Sequence, residues 1–277
     1  MNHCHYRPPA PLSQFVQCFW YWEGAPLTHT KERLMPTGEA CIIFNLRDEA
    51  IRIYDWRNPE RFETFSKAVL SGARSEPFVI DTMQQERVFG IQFRAGGSFP
   101  FFRMPSSEVT NLDVSLDCMW NTAASAMRER LLEAQSIRAR FAIAEEALTQ
   151  QLVRPPELHP AVAFAARQFS INPHTASVGT VVDKTGLSHR RFSQLFHDQT
   201  GLTPKAFSRV RRFQRVLRSI SLERDVEWTR IALDCGYYDQ AHFIHDFQSF
   251  SGFTPTGYVT SFFKYDHDNN HINHVPL

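Results

Sequence analysis

The stretch GLSHRRFSQLFHDQTGLTP, residues 186–204, places basic side chains next to a helix-like apolar pattern. Ser188 can cap a helix N-terminus, and the basic residues come directly after it: His189, Arg190 and Arg191. An apolar stripe follows at helical spacing: Phe192, Leu195 and Phe196. Basic side chains beside the positive end of a helix are suited to contacts with anions such as phosphate groups. The stretch therefore predicts recognition of an anionic partner by the exposed start of a helix.

The same pattern occurs a second time in the chain. At a spacing of 51 residues the repeated pairs are Phe192 and Phe243, Phe196 and Phe247, Gly201 and Gly252, Thr203 and Thr254, Pro204 and Pro255, and Phe207 and Tyr258. Before the turn the spacing is 50, and the pairs are Val181 and Ile231, Val182 and Ala232, and Gly186 and Gly236. The second turn therefore has one more residue, and Asp239 takes the capping position of Ser188. Each copy predicts a helix, a glycine turn and a second helix, the outline of a helix-turn-helix unit.

Two such units joined by one helix have a geometric consequence. The second helix of a DNA-reading unit places its N-terminal residues against base edges in the major groove. Successive major grooves on one face of DNA lie about 34 Å apart, so a single chain could read an asymmetric site. An all-helical protein-interaction module is the alternative, and its binding would not weaken steeply with salt.

The charge distribution favours the DNA-binding alternative. Residues 155–260 contain 12 Lys and Arg against 9 Asp and Glu, a net charge of +3, whereas the whole chain carries +1. Five arginines fall within ten residues at helical spacing: Arg209, Arg211, Arg212, Arg215 and Arg218. They predict a positive flank on the joining helix.

Residues 159–260 resemble the C-terminal domain of the AraC/XylS family of bacterial transcription regulators. The resemblance rests on GLSHRRFSQLFHDQTGLTPKAFSRVRRFQRV and IALDCGYYDQAHFIHDFQSFSGFTPTGY. It implies a cytoplasmic bacterial protein that binds double-stranded DNA in a sequence-specific manner, acts on transcription with RNA polymerase, and has no catalytic activity. Val259 departs from the family, which often has an arginine at this position.

By matching positions, the resemblance also implies the DNA contacts. The base-reading residues would be Arg190, Ser193 and Gln194 in the first unit and Gln240, Ala241, Ile244 and His245 in the second. Phosphate contacts are expected from His189, Arg191, His242 and Arg212. Major-groove geometry pairs arginine with guanine, glutamine with adenine, and a small apolar side chain with the thymine methyl group.

The predicted fold class is α+β. The segment VRPPELHPA contains three prolines and predicts an interdomain linker at 154–160. Short apolar or alternating runs at 40–46, 52–56 and 87–94 are typical of strands, whereas 121–153 has helical periodicity. We expect a β-rich domain over 1–153 with flanking helices at about 121–153, an all-helical domain of two helix-turn-helix units over 161–260, and a disordered tail over 261–277.

The N-terminal segment is similar to the cupin-like sensor domains of some members of the family. This similarity rests on LMPTGEACIIFNL, LSGARSEPFVI and FGIQFRAGGSFPFFRMP. It implies a small-molecule effector and a homodimer formed by the helices of 121–153, although their apolar stripe could equally pack on the β-domain. Ligand-pocket residues would be Trp22, Phe44, Phe93 and Arg94; aromatic residues of this kind also fill ordinary cores.

Two enzymatic alternatives are considered for the N-terminal half. A metal-dependent cupin needs several histidines and a carboxylate around the metal, but residues 1–158 contain only His3, His5 and His29. We therefore expect no metal and no other cofactor. A DNA-repair fusion that transfers an alkyl group to cysteine needs an activated thiolate, and Cys18 and Cys41 lie in apolar runs without an adjacent base.

The cysteine pattern and the absence of long apolar runs predict a cytoplasmic location. The five cysteines are scattered without a C-x-x-C pair, which is typical of reduced thiols. No signal peptide and no apolar run of about 18 residues occurs, so no membrane association is expected.

Overall fold

The computed structural model describes residues 2–25, 29–47, 49–152, 158–220, 226–264 and 272–277. Of the predicted linker, residues 154–157 lie outside the described residues.

Two antiparallel sheets form the β-rich part of the molecule. The strands are β1 Asn2–Tyr6, β2 Val16–Glu23, β3 Lys31–Leu34, β4 Cys41–Asn45, β5 Ile51–Tyr54, β6 Phe62–Phe65, β7 Ala68–Ser71, β8 Phe78–Asp81, β9 Arg87–Phe93, β10 Asp113–Ser115 and β11 His274–Pro276. Sheet A has the order β1-β2-β9-β4-β7-β10, and sheet B has the order β11-β3-β8-β5-β6. All but the last of the described strands precede the α-helices, and the predicted runs at 40–46, 52–56 and 87–94 correspond to β4, β5 and β9.

Ten α-helices follow the first ten strands of the described chain. They are α1 Asp117–Trp120, α2 Thr122–Glu133, α3 Ile137–Gln150, α4 Pro160–Ile171, α5 Val178–Asp183, α6 His189–Thr200, α7 Pro204–Ile220, α8 Trp228–Asp234, α9 Gln240–Ser251 and α10 Pro255–Lys264. The predicted α+β class, with a β-rich domain before a helical one, is confirmed.

Helices α2 and α3 cover one face of sheet A. Their apolar stripe belongs to the buried cluster of that sheet and comprises Met127, Leu131, Phe141, Ala144 and Leu148. The Phe141 ring stacks on Phe19 of β2, with 6.5 Å between the ring centroids. A sheet must bury its apolar face against another layer, and these helices supply that layer. The stripe therefore packs within the chain and is not free to pair with a second copy.

The helical half has its own apolar cluster, which extends into the β-rich half. It contains the repeated aromatic residues of both units together with Phe207 and Phe213 of α7. Met35, which follows β3, and Ala73, which follows β7, belong to the same cluster. The helical and β-rich halves are therefore joined by a continuous apolar contact.

The expectation of a disordered tail over 261–277 is wrong for the residues that the structure describes. Helix α10 continues to Lys264, and His274–Pro276 form β11, which pairs antiparallel with β3 at the edge of sheet B. Val275 is fully buried in the apolar cluster of the helical half. The tail sequence is polar and has no alternating apolar run, so it gave no strand signal. A strand at the edge of a sheet can pair through its backbone groups and bury a single apolar side chain, here Val275.

Glu32 of β3 lies between two histidines that bring the tail and the β-domain together. Its carboxylate is 2.8 Å from His29 Nε2 and 2.8 Å from His274 Nδ1 of β11. Burial acts to raise the pKa of Glu32, but the hydrogen bonds and charges of His274 and His29 outweigh it and lower this pKa to about 2. The Glu32 carboxylate therefore stays anionic until the pH falls toward 2.

This depressed pKa predicts how stability changes in acid. A carboxylate whose folded pKa lies below its unfolded value of 4.5 stabilises the fold above that value and loses the contribution as the pH falls toward 2. Glu32→Gln should therefore lower the free energy of unfolding by up to about 3 kcal/mol at pH 6, and by progressively less at pH 4.5 and pH 3. Urea unfolding at these three pH values measures the difference. Glu60→Gln, at a side chain that is 91% exposed, is the control and should have little effect. A Glu32→Gln penalty that stays constant with pH would contradict the assignment.

Candidate nucleic-acid interface

The first glycine-hinged pair consists of α5 and α6. Gly186 adopts a φ of 71° between them, in the left-handed region that glycine tolerates. The Ser188 hydroxyl accepts a hydrogen bond from the Arg191 backbone N–H at 3.3 Å, so the predicted N-cap of α6 is confirmed. The helix ends at Gly201, with a φ of 85°.

Helix α6 buries one face and exposes the other. Phe192 and Phe196 are fully buried, and the Phe196 ring lies 5.6 Å from that of Phe207 on α7. On the opposite face, near the N-terminus of α6, the side chain of Ser193 is half-buried. The exposed side chains there are His189, Arg190, Arg191 and Gln194. Gln194 donates a hydrogen bond to Asp198 Oδ1 at 2.8 Å. The predicted contacts of the first unit thus lie together on one accessible surface.

The second pair, α8 and α9, repeats this geometry. Asp239 Oδ1 accepts a hydrogen bond from the His242 backbone N–H at 2.7 Å, which confirms the second N-cap. Phe247 lies 5.6 Å from Tyr258, the counterpart of Phe207, between ring centroids. The exposed side chains at the start of α9 are Gln240, Ala241, His242 and His245, whereas Ile244 is half-buried. Because Ile244 packs on the apolar cluster, only part of its side chain is available to a partner.

An ion pair that the sequence did not reveal fixes α9 against α7. Asp246 is 2% exposed, and Arg209 donates to its two oxygens at 2.6 and 3.3 Å. The hydrogen bond from Arg209 to this carboxylate raises the pKa of Arg209. His242 and His245 also approach Asp246, at 3.8 and 3.9 Å. Asp246 therefore connects α7, the linker helix between the two helix-turn-helix units, to two of the predicted DNA-contacting residues.

The predicted positive flank of α7 is largely engaged in contacts within the protein. Arg211 Nη1 lies 3.2 Å from Glu39, and Arg215 Nη1 lies 2.8 Å from His174 Nδ1. The Arg212 guanidinium lies over the Tyr237 ring, 5.2 Å from its centroid. Arg212 thus lies at the joint between α7 and the second unit, so its role as a phosphate contact stays a prediction.

Tyr238 is an exposed aromatic residue that the sequence reasoning did not select. Its side chain is 89% exposed, whereas the neighbouring Tyr237 is 3% exposed and packs on Phe243 at 5.4 Å between ring centroids. Tyr238 directly precedes the N-cap of α9 and therefore lies beside the exposed start of that helix. The extra residue of the GYYD turn was the signal that could have identified it.

The four predicted ligand-pocket residues do not converge. Phe44 and Phe93 are fully buried in the cluster that packs against α2 and α3. Trp22 lies on the opposite face of sheet A, because it alternates with Tyr21, a member of that cluster. The Arg94 guanidinium donates to the backbone oxygen of Ser13 at 2.9 Å. Strand alternation thus separates side chains that proximity in sequence had grouped together.

No group of three or more His, Cys, Asp or Glu side chains within the described residues is placed to hold a metal ion. Nor is any described helix both long enough and apolar enough to cross a membrane.

The Arg209–Asp246 pair predicts a stability effect. Asp246→Ala should lower the free energy of unfolding by about 1–2 kcal/mol, because Arg209 loses its partner but can still reach water. Urea denaturation gives this value. Asp234→Ala is the matched control: Asp234 is 67% exposed and lies 3.9 Å from Arg230, so its loss should change stability by less than about 0.5 kcal/mol. Equal effects of the two substitutions would mean that the buried pair does not stabilise the docking of α9.

Comparison with known proteins gives one match in each half of the chain. Residues 4–115 match a domain of unknown function (DUF6597), and residues 181–261 match a helix-turn-helix domain. A comparison with curated protein sequences finds no match.

Among solved structures, the chain is similar to ToxT from Vibrio cholerae. The 1.65 Å structure of ToxT has 9% identity and a TM-score of 0.46, with 87% of this chain and 97% of that chain covered. An unsaturated fatty acid-bound wild-type ToxT has 8% identity and a TM-score of 0.46, with 90% and 96% covered.

The helix-turn-helix match includes both glycine turns, both capped helices and α7 between them. Residues 181–261 therefore form an AraC-type helix-turn-helix domain.

Proposed function

We propose that α6 and α9 read two segments of one asymmetric DNA site. The observation that supports this proposal is the repeated arrangement of the two helices: each is capped at its N-terminus, buried along its aromatic face and exposed along the face that carries the predicted contacts. A helix exposed in this way fits the major groove. The exposed start of each helix also carries basic or hydrogen-bonding side chains that can address phosphates and base edges.

The residues divide into two groups in this proposal. Bases are read by Arg190, Ser193 and Gln194 on α6 and by Gln240, Ala241, Ile244 and His245 on α9. Phosphates are contacted by His189, Arg191 and His242, with Arg212 and the exposed Tyr238 at the edge of the surface. Tyrosine hydroxyl groups are common phosphate donors, and the phenol of Tyr238 is free to turn toward a duplex.

In this proposal the N-terminal domain modulates the DNA reader, which consists of the two reading helices α6 and α9 and the linker helix α7. A small-molecule effector, a homodimer, or both would act through the contacts between the β-domain and the helical half. Because the apolar stripe of α2 and α3 is buried, a dimer would use the outer faces of these helices. Double-stranded DNA and RNA polymerase are the macromolecular partners, and the location is the cytoplasm.

The alternative function, alkyl transfer to a cysteine, is disfavoured by the surroundings of Cys18 and Cys41. A cysteine that accepts an alkyl group must be a thiolate near neutral pH. Burial raises the pKa of Cys18, and burial with the nearby Asp113 raises that of Cys41 to about 12. These thiols are therefore poor nucleophiles, which favours a regulator without catalytic activity.

Substitution of one base-reading residue on each helix tests the proposal. Arg190→Ala and Gln240→Ala should each weaken binding to the specific site by about tenfold or more, and binding to random duplex by much less. The reason is that a base contact carries sequence discrimination, whereas phosphate contacts are shared by all sequences. Fluorescence anisotropy titrations on a site selected from a randomised duplex pool measure both affinities.

Arg138→Ala and Gln150→Ala are the matched controls, because both residues are exposed on α3, away from the reader. They should leave the ratio of specific to random affinity unchanged. Equal losses on the two DNAs for Arg190→Ala or Gln240→Ala would refute base reading by that residue. Wild-type binding that does not weaken as salt rises would instead refute DNA binding and favour a protein-interaction module.

A further inference from the structure

The N-terminal domain holds the C-terminal end of α6. The Thr110 hydroxyl donates to the backbone oxygen of Gly201, and the Ser106 hydroxyl donates to that of Gln199 at 3.1 Å. The approach is close, because a Cβ atom at Gly201 would lie 3.0 Å from the methyl group of Ala73. Carbonyl groups at the end of a helix lack partners within it, so the N-terminal domain satisfies them here.

It also holds the C-terminal end of α9, with different residues. Arg33 of β3 donates from Nη1 to the backbone oxygen of Ser251 at 3.3 Å, and from Nη2 to that of Trp56 at 3.2 Å. Its guanidinium lies over the Phe253 ring, 4.5 Å from the centroid. A Cβ atom at Gly252 would lie 2.7 Å from Arg33 Nη1, so this contact is as close as the one at Gly201.

These two contacts fall on equivalent points of the repeat. Gly201 and Gly252 are separated by the repeat distance of 51 residues and end the two reading helices in the same left-handed conformation. Thr110 precedes the edge strand β10 of sheet A, whereas Arg33 belongs to sheet B. The C-terminal ends of the two reading helices are therefore held by residues in or next to two different sheets.

The linker helix is held between these two points. Arg211 Nη1 lies 3.2 Å from Glu39 Oε1, and Gln214 Nε2 donates to the backbone oxygen of Pro36 at 2.8 Å. Glu39 and Pro36 belong to the segment that joins β3 to β4. All three parts of the reader, α6, α7 and α9, thus contact the N-terminal domain on the side remote from the exposed helix starts.

We propose that Arg33 and Thr110 are positioning residues for DNA recognition, which fix the distance and angle between α6 and α9 and hence the spacing of the two DNA segments that the chain accepts. This inference rests on the proposed function. Each reading helix of 12 residues is about 18 Å long, so a small change of angle at its C-terminal end displaces its DNA-facing end. Loss of either anchor should therefore broaden or shift the accepted spacing, without removing any group that touches DNA.

The test uses the full chain and a duplex that wild-type protein selects from a randomised pool. Derivatives of this duplex carry one or two base pairs added or removed between the two segments. Each base pair moves one segment by about 3.4 Å and about 35° relative to the other. Anisotropy titrations give a spacing profile, which is the ratio of the affinity for each derivative to that for the selected duplex.

Wild-type protein should lose about tenfold or more in affinity when the spacing changes by two base pairs, since one segment then leaves its helix. Arg33→Ala and Thr110→Val should each reduce this loss to about threefold or less, or move the optimum to another spacing. Arg33→Lys retains a cation and a donor and should restore much of the wild-type profile. The matched control is Arg57→Ala, because Arg57 lies over the neighbouring Trp56 ring at 4.4 Å and its side chain is 65% exposed.

Urea unfolding of each variant shows that it is folded, and the near-isosteric Thr110→Val provides a second variant in case Arg33→Ala is unfolded. A wild-type spacing profile in folded Arg33→Ala and Thr110→Val would overturn the inference and leave the proposed function intact. Wild-type protein that selects a sequence but tolerates every spacing would also overturn the inference and leave the proposed function intact. If wild-type protein selects no sequence at all, the proposed function fails and the inference fails with it.

Discussion

Burial of one aromatic face on each reading helix is the interaction on which the rest of the reader depends. Phe196 packs on Phe207 and Phe247 packs on Tyr258, at the same separation of 5.6 Å between ring centroids. Deleting a buried aromatic side chain typically costs about 3–5 kcal/mol, so these contacts fix which face of each helix is turned inward. The opposite face, with its basic and amide side chains, is exposed as a geometric consequence. Recognition by the two helices is thus inseparable from their packing.

The helical half could be predicted from the sequence because its signals are local and occur twice. Ser188 and Asp239 occupy the capping positions that their residue types favour, and Gly201 and Gly252 end the reading helices with positive φ values. Caps, glycine turns and helical periodicity each act within a few residues, so a sequence pattern contains them. Residue spacing also predicts which side chains of these helices are exposed, whereas contact with a base depends on the DNA and leaves no local pattern in the sequence.

Features that join distant segments could not be predicted. The pairing of β11 with β3 brings together residues more than 200 positions apart, and the Arg209–Asp246 ion pair joins two different helices. Neither leaves a local pattern in the sequence. The placement of Trp22 and Phe44 on opposite faces of sheet A could not be predicted for a different reason. Composition shows that aromatic residues are dense, but only the strand register shows which face each one occupies.

The contacts between the two halves also indicate how a signal in the N-terminal domain could reach the reader. A ligand shifts an equilibrium only by its differential affinity for two states, so the contacts that differ between those states must carry the coupling. The Glu39–Arg211 pair is a poor candidate for release, since both side chains are largely buried and separation would leave a buried charge without its partner. Single hydrogen bonds to backbone oxygens, such as those of Thr110 and Arg33, are worth about 0.5–3 kcal/mol each. That range matches typical allosteric coupling free energies of about 1–3 kcal/mol. The linker helix therefore serves as the fixed support, and the C-terminal ends of the reading helices are the points at which the N-terminal domain can adjust recognition.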